Sequence, residues 1–142
     1  ATRTSIDDGS GMSRENRVAP ETMTAWLGSL VRRPEIAGAM LESLPEPGAG
    51  TLRRRFKDTE LTNAVRAKPG SINGVRCLAG YVVTSDGSQS VAFSVMVNDI
   101  EHGSQIRDAL DLHEDIVVAI DSWLASVAPA QRAIGESKAA GG

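Results

Sequence analysis

Apolar residues recur along this chain with two different periods, and the switch between them divides it. From Pro20 the spacing is helical: Met23, Trp26, Leu27, Leu30 and Val31 fall at i, i+3, i+4, i+7 and i+8, one face of an α-helix. Pro20 suits a first helical turn, where its missing N–H has no intrahelical partner to lose, and Glu21 lies at the positive end of the helix dipole. Arg32 and Arg33 stand at the C-terminal end, and Pro34 stops the helix. A second short helix is predicted over 34–44, with Ile36, Met40, Leu41 and Leu44 inward. The run 45–50, rich in Pro and Gly, reads as loop. Thr51 is placed to cap a short helical turn through Phe56, and residues 57–63 are polar and read as loop.

The period changes at Val65. Three strand-like runs follow, at 65–71, 75–84 and 90–97, the last two joined through Asp86-Gly87, a strong hairpin signal. Both of these runs are apolar at nearly every residue, which marks strands covered on both faces. After a loop, Ser104 is placed to cap a long helix whose inward face is Ile106, Ala109, Leu110, His113, Ile116, Val117, Ile120, Trp123, Leu124 and Val127. Pro129 is expected to end it, leaving 129–142 as a disordered tail. Residues 1–17 form a polar lead-in with a turn at 7–11 and few sizeable apolar residues, Ile6 and Met12 among them. The order is helix, helix, three antiparallel strands, long helix: an α+β layout. Three strands are minimal for a sheet covered on both faces, so strands from another segment are expected.

Charge then removes some classes of function. The net charge is -3 and the pI about 5.4, without the cationic excess that binding to nucleic acid phosphates requires. The short basic cluster Arg53, Arg54, Arg55 and Lys57 reads as a solvated helix face. A single cysteine, Cys77 in an apolar run, excludes an internal disulfide and reads as a buried inert thiol. No stretch approaches the roughly 18 apolar residues of a membrane span. The first residues carry no apolar signal core and no initiator Met, so the chain is expected to begin mid-protein.

Few groups could carry chemistry. The histidines are His102, in a loop, and His113, on the apolar helix face. Neither has a serine partner in a nucleophile turn, and their separation gives no metal-ligand spacing. His113 reads as a hydrogen-bonded core or boundary residue. Adjacent carboxylates, Asp7-Asp8 and Glu114-Asp115, point apart and make poor acid/base pairs. No cofactor or metal site is expected. Lys68-Pro69-Gly70-Ser71 remains. A lysine, a glycine that lets a ligand approach the backbone and a hydroxyl sit at the end of the first strand, whose edge could receive an extended peptide. A plain turn is the competing reading.

Five segments resemble one known family. Asp8-Gly9-Ser10-Gly11-Met12-Ser13-Arg14-Glu15-Asn16 resembles the Asp-Gly-Ser-Gly-Leu-Ser-Arg-x-Asn signature of the class C low-molecular-mass penicillin-binding proteins, the DacB-type D-Ala-D-Ala carboxypeptidase/endopeptidase family. Gly50-Thr51-Leu52-Arg53-Arg54-Arg55-Phe56 is similar to its Gly-Thr-Leu-x-x-Arg-Phe, and Ala67-Lys68-Pro69-Gly70-Ser71-Ile72-Asn73-Gly74-Val75 to its Ala-Lys-Thr-Gly-Ser/Thr-Leu-x-Gly-Val. Leu78-Ala79-Gly80-Tyr81-Val82 and Ala92-Phe93-Ser94 continue the match in step, over residues 8–98.

The resemblance implies the C-terminal part of a penicillin-binding-protein/β-lactamase-like fold, with residues 1–128 as part of a transpeptidase-like domain. The family's sheet has five strands, of which the first two come from far upstream. It implies a serine peptidase acting on peptidoglycan stem peptides and acylated by β-lactams, in a bacterial, extracytoplasmic setting. Family members acylate a serine in Ser-x-x-Lys, assisted by Ser-x-Asn. No serine in this sequence has a lysine three residues on, and Ser71-Ile72-Asn73 overlaps the strand motif, so the nucleophile, its base and that loop are expected in an upstream portion of the same protein. What carries over is one wall of the cleft. Lys68 is implied as an electrostatic contributor, Gly70 as the residue that leaves the cleft open, and the Ser71 N–H as half of the oxyanion hole. Ser10, Arg14 and Ile72 are implied at the pocket for the stem peptide. Pro69 departs from the family's threonine, removing a hydroxyl and an N–H. The alternative is a catalytically degenerate module that binds peptidoglycan or a partner protein.

Overall fold

The computed structural model describes residues 4–140, with side chains described through Ala128. Its elements are α1 (Pro20–Val31), α2 (Pro34–Glu42), a 3-10 turn (Gly50–Leu52), β1 (Ala64–Ile72), β2 (Val75–Val83), β3 (Ser90–Val97) and α3 (Gly103–Ala140). The strands form one antiparallel sheet in the order β1-β2-β3.

The doubly apolar strands are explained by two separate cores, one on each face. Alternate residues of a strand point to opposite faces. Val65 and Ala67 of β1, Leu78 and Val82 of β2, and Phe93 of β3 pack with Val117 and Leu124 of α3 and with Leu52 and Phe56. Tyr81 and Val83 pack on the other face with Leu27 of α1, joined by Met23, Val31, Met40 and Leu41. The buried Tyr81 hydroxyl donates to the Leu27 carbonyl at 2.9 Å, pinning α1 to the sheet, and burial pushes its pKa up. The Asp86-Gly87 hairpin forms as expected. Asp86 Oδ1 accepts from the Thr84 and Ser88 hydroxyls and the Ser88 N–H, and Gly87 takes φ +69°.

One glycine is dictated by close approach. A Cβ on Gly80 would lie 2.1 Å from the Arg66 carbonyl oxygen and 2.6 Å from Ala67 Cα, both backbone atoms of β1. Polar side chains of α3 hold the chain entering the sheet. The buried Asp121 carboxylate accepts from the Thr62 and Asn63 N–H groups at 2.9 and 2.8 Å, and from Asn63 Nδ2 at 2.8 Å. Glu114 accepts from Arg55 Nε at 2.5 Å and from the Phe56 N–H at 3.0 Å, holding Phe56 at φ +58°.

The structure corrects several expectations. Trp26 is 54% exposed: the buried stripe of α1 is Met23, Leu27 and Val31, spaced by four, and Trp26 lies about 100° round from Leu27. Trp123 is exposed for the same reason, one residue off the stripe Ala109, His113, Val117, Asp121, Leu124. Thr51 lies inside the 3-10 turn and does not cap it; Ala49 is the N-cap residue. Ser104 lies inside α3, where the Gln105 side chain instead accepts from the Glu101 and His102 N–H groups. α3 passes through Pro129 to Ala140, because a proline removes one helical hydrogen bond locally without stopping the backbone on either side. Gly141 and Gly142 lie outside the described residues. Arg55 is not solvated but tied to α3, with Nη2 donating to the Leu110 carbonyl at 2.9 Å. No helix among the described residues is long and apolar enough to cross a membrane.

Candidate active-site wall

Strand register decides what the edge of β1 offers. In an antiparallel ladder alternate residues turn their N–H and C=O toward the partner or away from it. The Ala67 N–H donates to the Pro45 carbonyl at 3.1 Å, outside the ladder, so Ala67 faces away from β2. Pro69 and Ser71 share that parity. Pro69 therefore stands where a strand N–H would point to the open edge, and its missing donor costs no ladder bond. Beyond the Pro45 contact, the Pro69 carbonyl and the Ser71 N–H and C=O line the edge.

The side chains follow from the same alternation. Lys68 is exposed on the α1 side of the sheet, and its Nζ folds back to donate to the Pro69 carbonyl at 3.0 Å. Gly70 is exposed beside Cys77, and an added Cβ would make only ordinary contact with Cys77 Cβ, at 3.5 Å. The chain's own packing thus does not demand a glycine here. Half-buried Cys77 has its thiol pKa pushed up by burial, as an inert thiol does. Ile72 is half-buried at the end of β1, paired with Val75.

The N-terminal loop has an anionic hub. The Asp8 carboxylate accepts from the Ser10 hydroxyl at 2.5 Å, Asn16 Nδ2 at 2.6 Å, and the Gly11, Met12 and Ser13 N–H groups at 3.1 Å each. Those donors, Ser10 foremost and then Asn16, hold its pKa well below the usual carboxylate range. Asn16 Oδ1 accepts from the Asp7 and Asp8 N–H groups, and a bridge between Ser5 and Arg17 closes the loop. Ser10 is thus exposed but committed to the hub. Arg14 is brought to the strand motif: a Cβ on Gly74 would lie 3.8 Å from Arg14 Nη2. Lys68, Gly70, Ser71 and Ile72 share one edge, and Arg14 lies against the turn at its end. The sequence reading gave no role to Asp8, Asn16 or Arg76, although Asn73-Gly74 between two β-rich runs was itself a legible hairpin signal.

His113 is fully buried, as a core residue is expected to be; among the described residues neither ring nitrogen has a partner in good hydrogen-bond geometry, the Arg76 backbone approaching it only loosely. Burial first, then the Arg55 charge, lower its pKa to about 4, partly offset by the Arg76 backbone and Glu114. Among the described residues, no group of three or more His, Cys, Asp or Glu converges on a metal position.

Comparison with known proteins bears on the class of the chain as a whole. The structure is similar to penicillin binding protein 4 (dacB) of Haemophilus influenzae, solved alone and with a β-lactam. For the β-lactam complex the TM-score is 0.63 at 30% identity, over 80% of this chain and 28% of that one. The fold is thus that of a penicillin-binding protein. The sequence pattern of the D-Ala-D-Ala carboxypeptidase 3 (S13) family matches residues 1–117, and the chain belongs to that family. Relatives include the penicillin-sensitive carboxypeptidase A of Dictyostelium discoideum, 30% identical over 84% of this chain and 24% of its own length. The D-alanyl-D-alanine carboxypeptidase of Actinomadura sp. (strain R39) is 37% identical over 66% of this chain and 18% of its own length. The chain spans about a fifth to a quarter of the curated relatives it matches.

Proposed function

We propose that this chain supplies the Lys-x-Gly wall of the active site in a serine D-alanyl-D-alanine carboxypeptidase/endopeptidase acting on peptidoglycan stem peptides, and that it is inactive alone. One observation carries this reading: register turns the Pro69 carbonyl and the Ser71 N–H to an open edge beside Lys68. An extended peptide needs such an alternation of acceptor and donor. In the reaction, a serine oxygen bonds to the carbonyl carbon of the scissile bond as its proton passes to a base, the C–N bond breaks as the leaving amine takes that proton, and water then hydrolyses the acyl ester to free the serine. The Ser71 N–H donates to the oxygen on which charge develops, a type of interaction that contributes about 3 kcal/mol. Lys68 adds positive charge near the substrate carboxylate once its Nζ leaves the Pro69 carbonyl. Gly70 leaves clearance, and Ile72, Arg14 and the Ser10 loop border the stem peptide.

The serine comes from the upstream portion of the same protein, which also adds strands to the sheet. Residues 1–128 are then part of one transpeptidase-like domain. The substrate places the protein on the outer side of a bacterial membrane. A degenerate binding module is the second reading, favoured by Pro69 in place of threonine. Labelled penicillin and a D-Ala-D-Ala stem peptide applied to the full-length protein separate the two. Acylation with D-Ala release is expected, whereas binding without either favours the degenerate module.

A further inference from the structure

The turn next to Ser71 does not hold its shape by itself. Asn73-Gly74 joins β1 to β2 as a two-residue hairpin, and Asn-Gly intrinsically prefers a type I′ turn with both residues at positive φ. Here Gly74 takes φ +78°, while Asn73 does not take a positive φ. Turns of that kind match the twist of paired strands less well, so contacts from outside the turn must fix it. Three are present. Arg76 Nη1 donates to the Ile72 carbonyl at 3.0 Å and to the Val75 carbonyl at 2.7 Å, the two residues that flank the turn. The Ile100 N–H donates to the Gly74 carbonyl at 3.0 Å. The Arg14 guanidinium lies against Gly74.

Of these, only Arg76 holds both flanks with one charged group. It is also the register partner of Ser71 and half-buried on the α3 side of the sheet. Charge-assisted bonds to carbonyls are short and directional, so they fix peptide planes better than packing does. Ile72, one of the two residues held, directly follows Ser71 in the chain.

We infer that Arg76 is a positioning residue for the active-site edge: by clamping Ile72 and Val75 it sets the direction of the Ser71 N–H. This inference rests on the proposed function, since it gives the Ser71 N–H a task. Arg76 touches no substrate. Its loss therefore slows acylation without weakening initial binding in proportion.

The test compares full-length wild type with Arg76→Ala, Arg76→Lys and, as a surface control, Arg53→Ala, measuring labelled-penicillin acylation against concentration. The expected result for Arg76→Ala is an acylation rate constant lower by on the order of 10-fold to 100-fold, with the half-saturating concentration changed less than about threefold. Arg76→Lys recovers part of the rate, and Arg53→Ala matches wild type. Arg76→Gln carries the same expectation as Arg76→Ala if the alanine variant does not fold. An acylation rate within about twofold of wild type, or a loss carried wholly by the half-saturating concentration, overturns the inference. If wild type itself is not acylated, the proposed function fails and the clamp is read separately, by amide hydrogen exchange. Exchange at Ile72 and Val75, whose N–H groups face each other across the ladder, faster by about 10-fold in Arg76→Ala supports it, and unchanged exchange overturns it.

Discussion

The two edges of the sheet are built differently. The β1 edge is guarded along most of its length. Pro69 removes a donor, Lys68 folds over the Pro69 carbonyl, the Pro45 carbonyl takes the Ala67 N–H, and Arg66 pairs with Glu46. Only a short stretch around Ser71 is left open. The β3 edge, Ser90-Val91-Ala92-Phe93-Ser94-Val95-Met96-Val97, has no charge and no proline, and no strand pairs with it among the described residues. Proteins protect edges that must stay open and leave bare those that are covered. Under the proposed function, β1 is the edge that meets a small, transient ligand and β3 the edge that meets permanent neighbours.

The largest effect expected comes from destroying the guarded edge outright. Gly80→Val drives a side chain into the Arg66 carbonyl and Ala67 Cα, so β1 cannot keep its register. Chemical denaturation of the full-length protein should show a loss of about 4 kcal/mol, and penicillin labelling should vanish. Next comes a proline exchanged between the edges. By register, Met96 turns its backbone away from β2, so Met96→Pro costs no ladder bond within this sheet. It blocks only a strand added from outside, where an acceptor left without its donor should cost the full-length protein about 1–3 kcal/mol. Pro69→Thr, in contrast, should change stability by less than about 0.5 kcal/mol while raising the acylation rate. Equal effects of the two substitutions would erase the distinction between the edges.

A smaller effect lies beneath the β1–β2 hairpin, at His113. Its pKa is near 4 in the fold against 6.5 for a free histidine, so the unfolded chain binds more protons between those values. Stability therefore falls as pH drops from about 6.5, with the penalty complete below about 4. His113→Leu should remove that slope in denaturation followed against pH. Asp8, whose pKa is lowered, acts in a separate window below its ordinary value near 3.8, so the two are distinguishable in one titration.

The fold was largely legible because its signals are local. The strand boundaries at Val75, Ser90 and Val97 and the Asp86-Gly87 hairpin come from apolar runs and turn chemistry. Sidedness was less legible. Trp26 and Trp123 fit the helical period, but a residue on the flank of a stripe is buried only if a neighbour reaches it. His113 was legible as a core residue, but the quality of its pairing depends on contacts between elements distant in sequence. The Lys68-Pro69-Gly70-Ser71 cluster could be read from the residues. That Pro69 is harmless to the ladder, and that Arg76 grips the neighbouring turn, required the register and the side-chain paths.

The central claim is that this chain is one wall of a serine peptidase cleft whose nucleophile lies elsewhere. Labelled penicillin, followed by peptide mapping of the acylated residue, tests it most directly on the 142-residue chain and the full-length protein side by side. The account predicts no label on the isolated chain, and label in the full-length protein on a serine outside these residues. Label on any serine within this chain would contradict it.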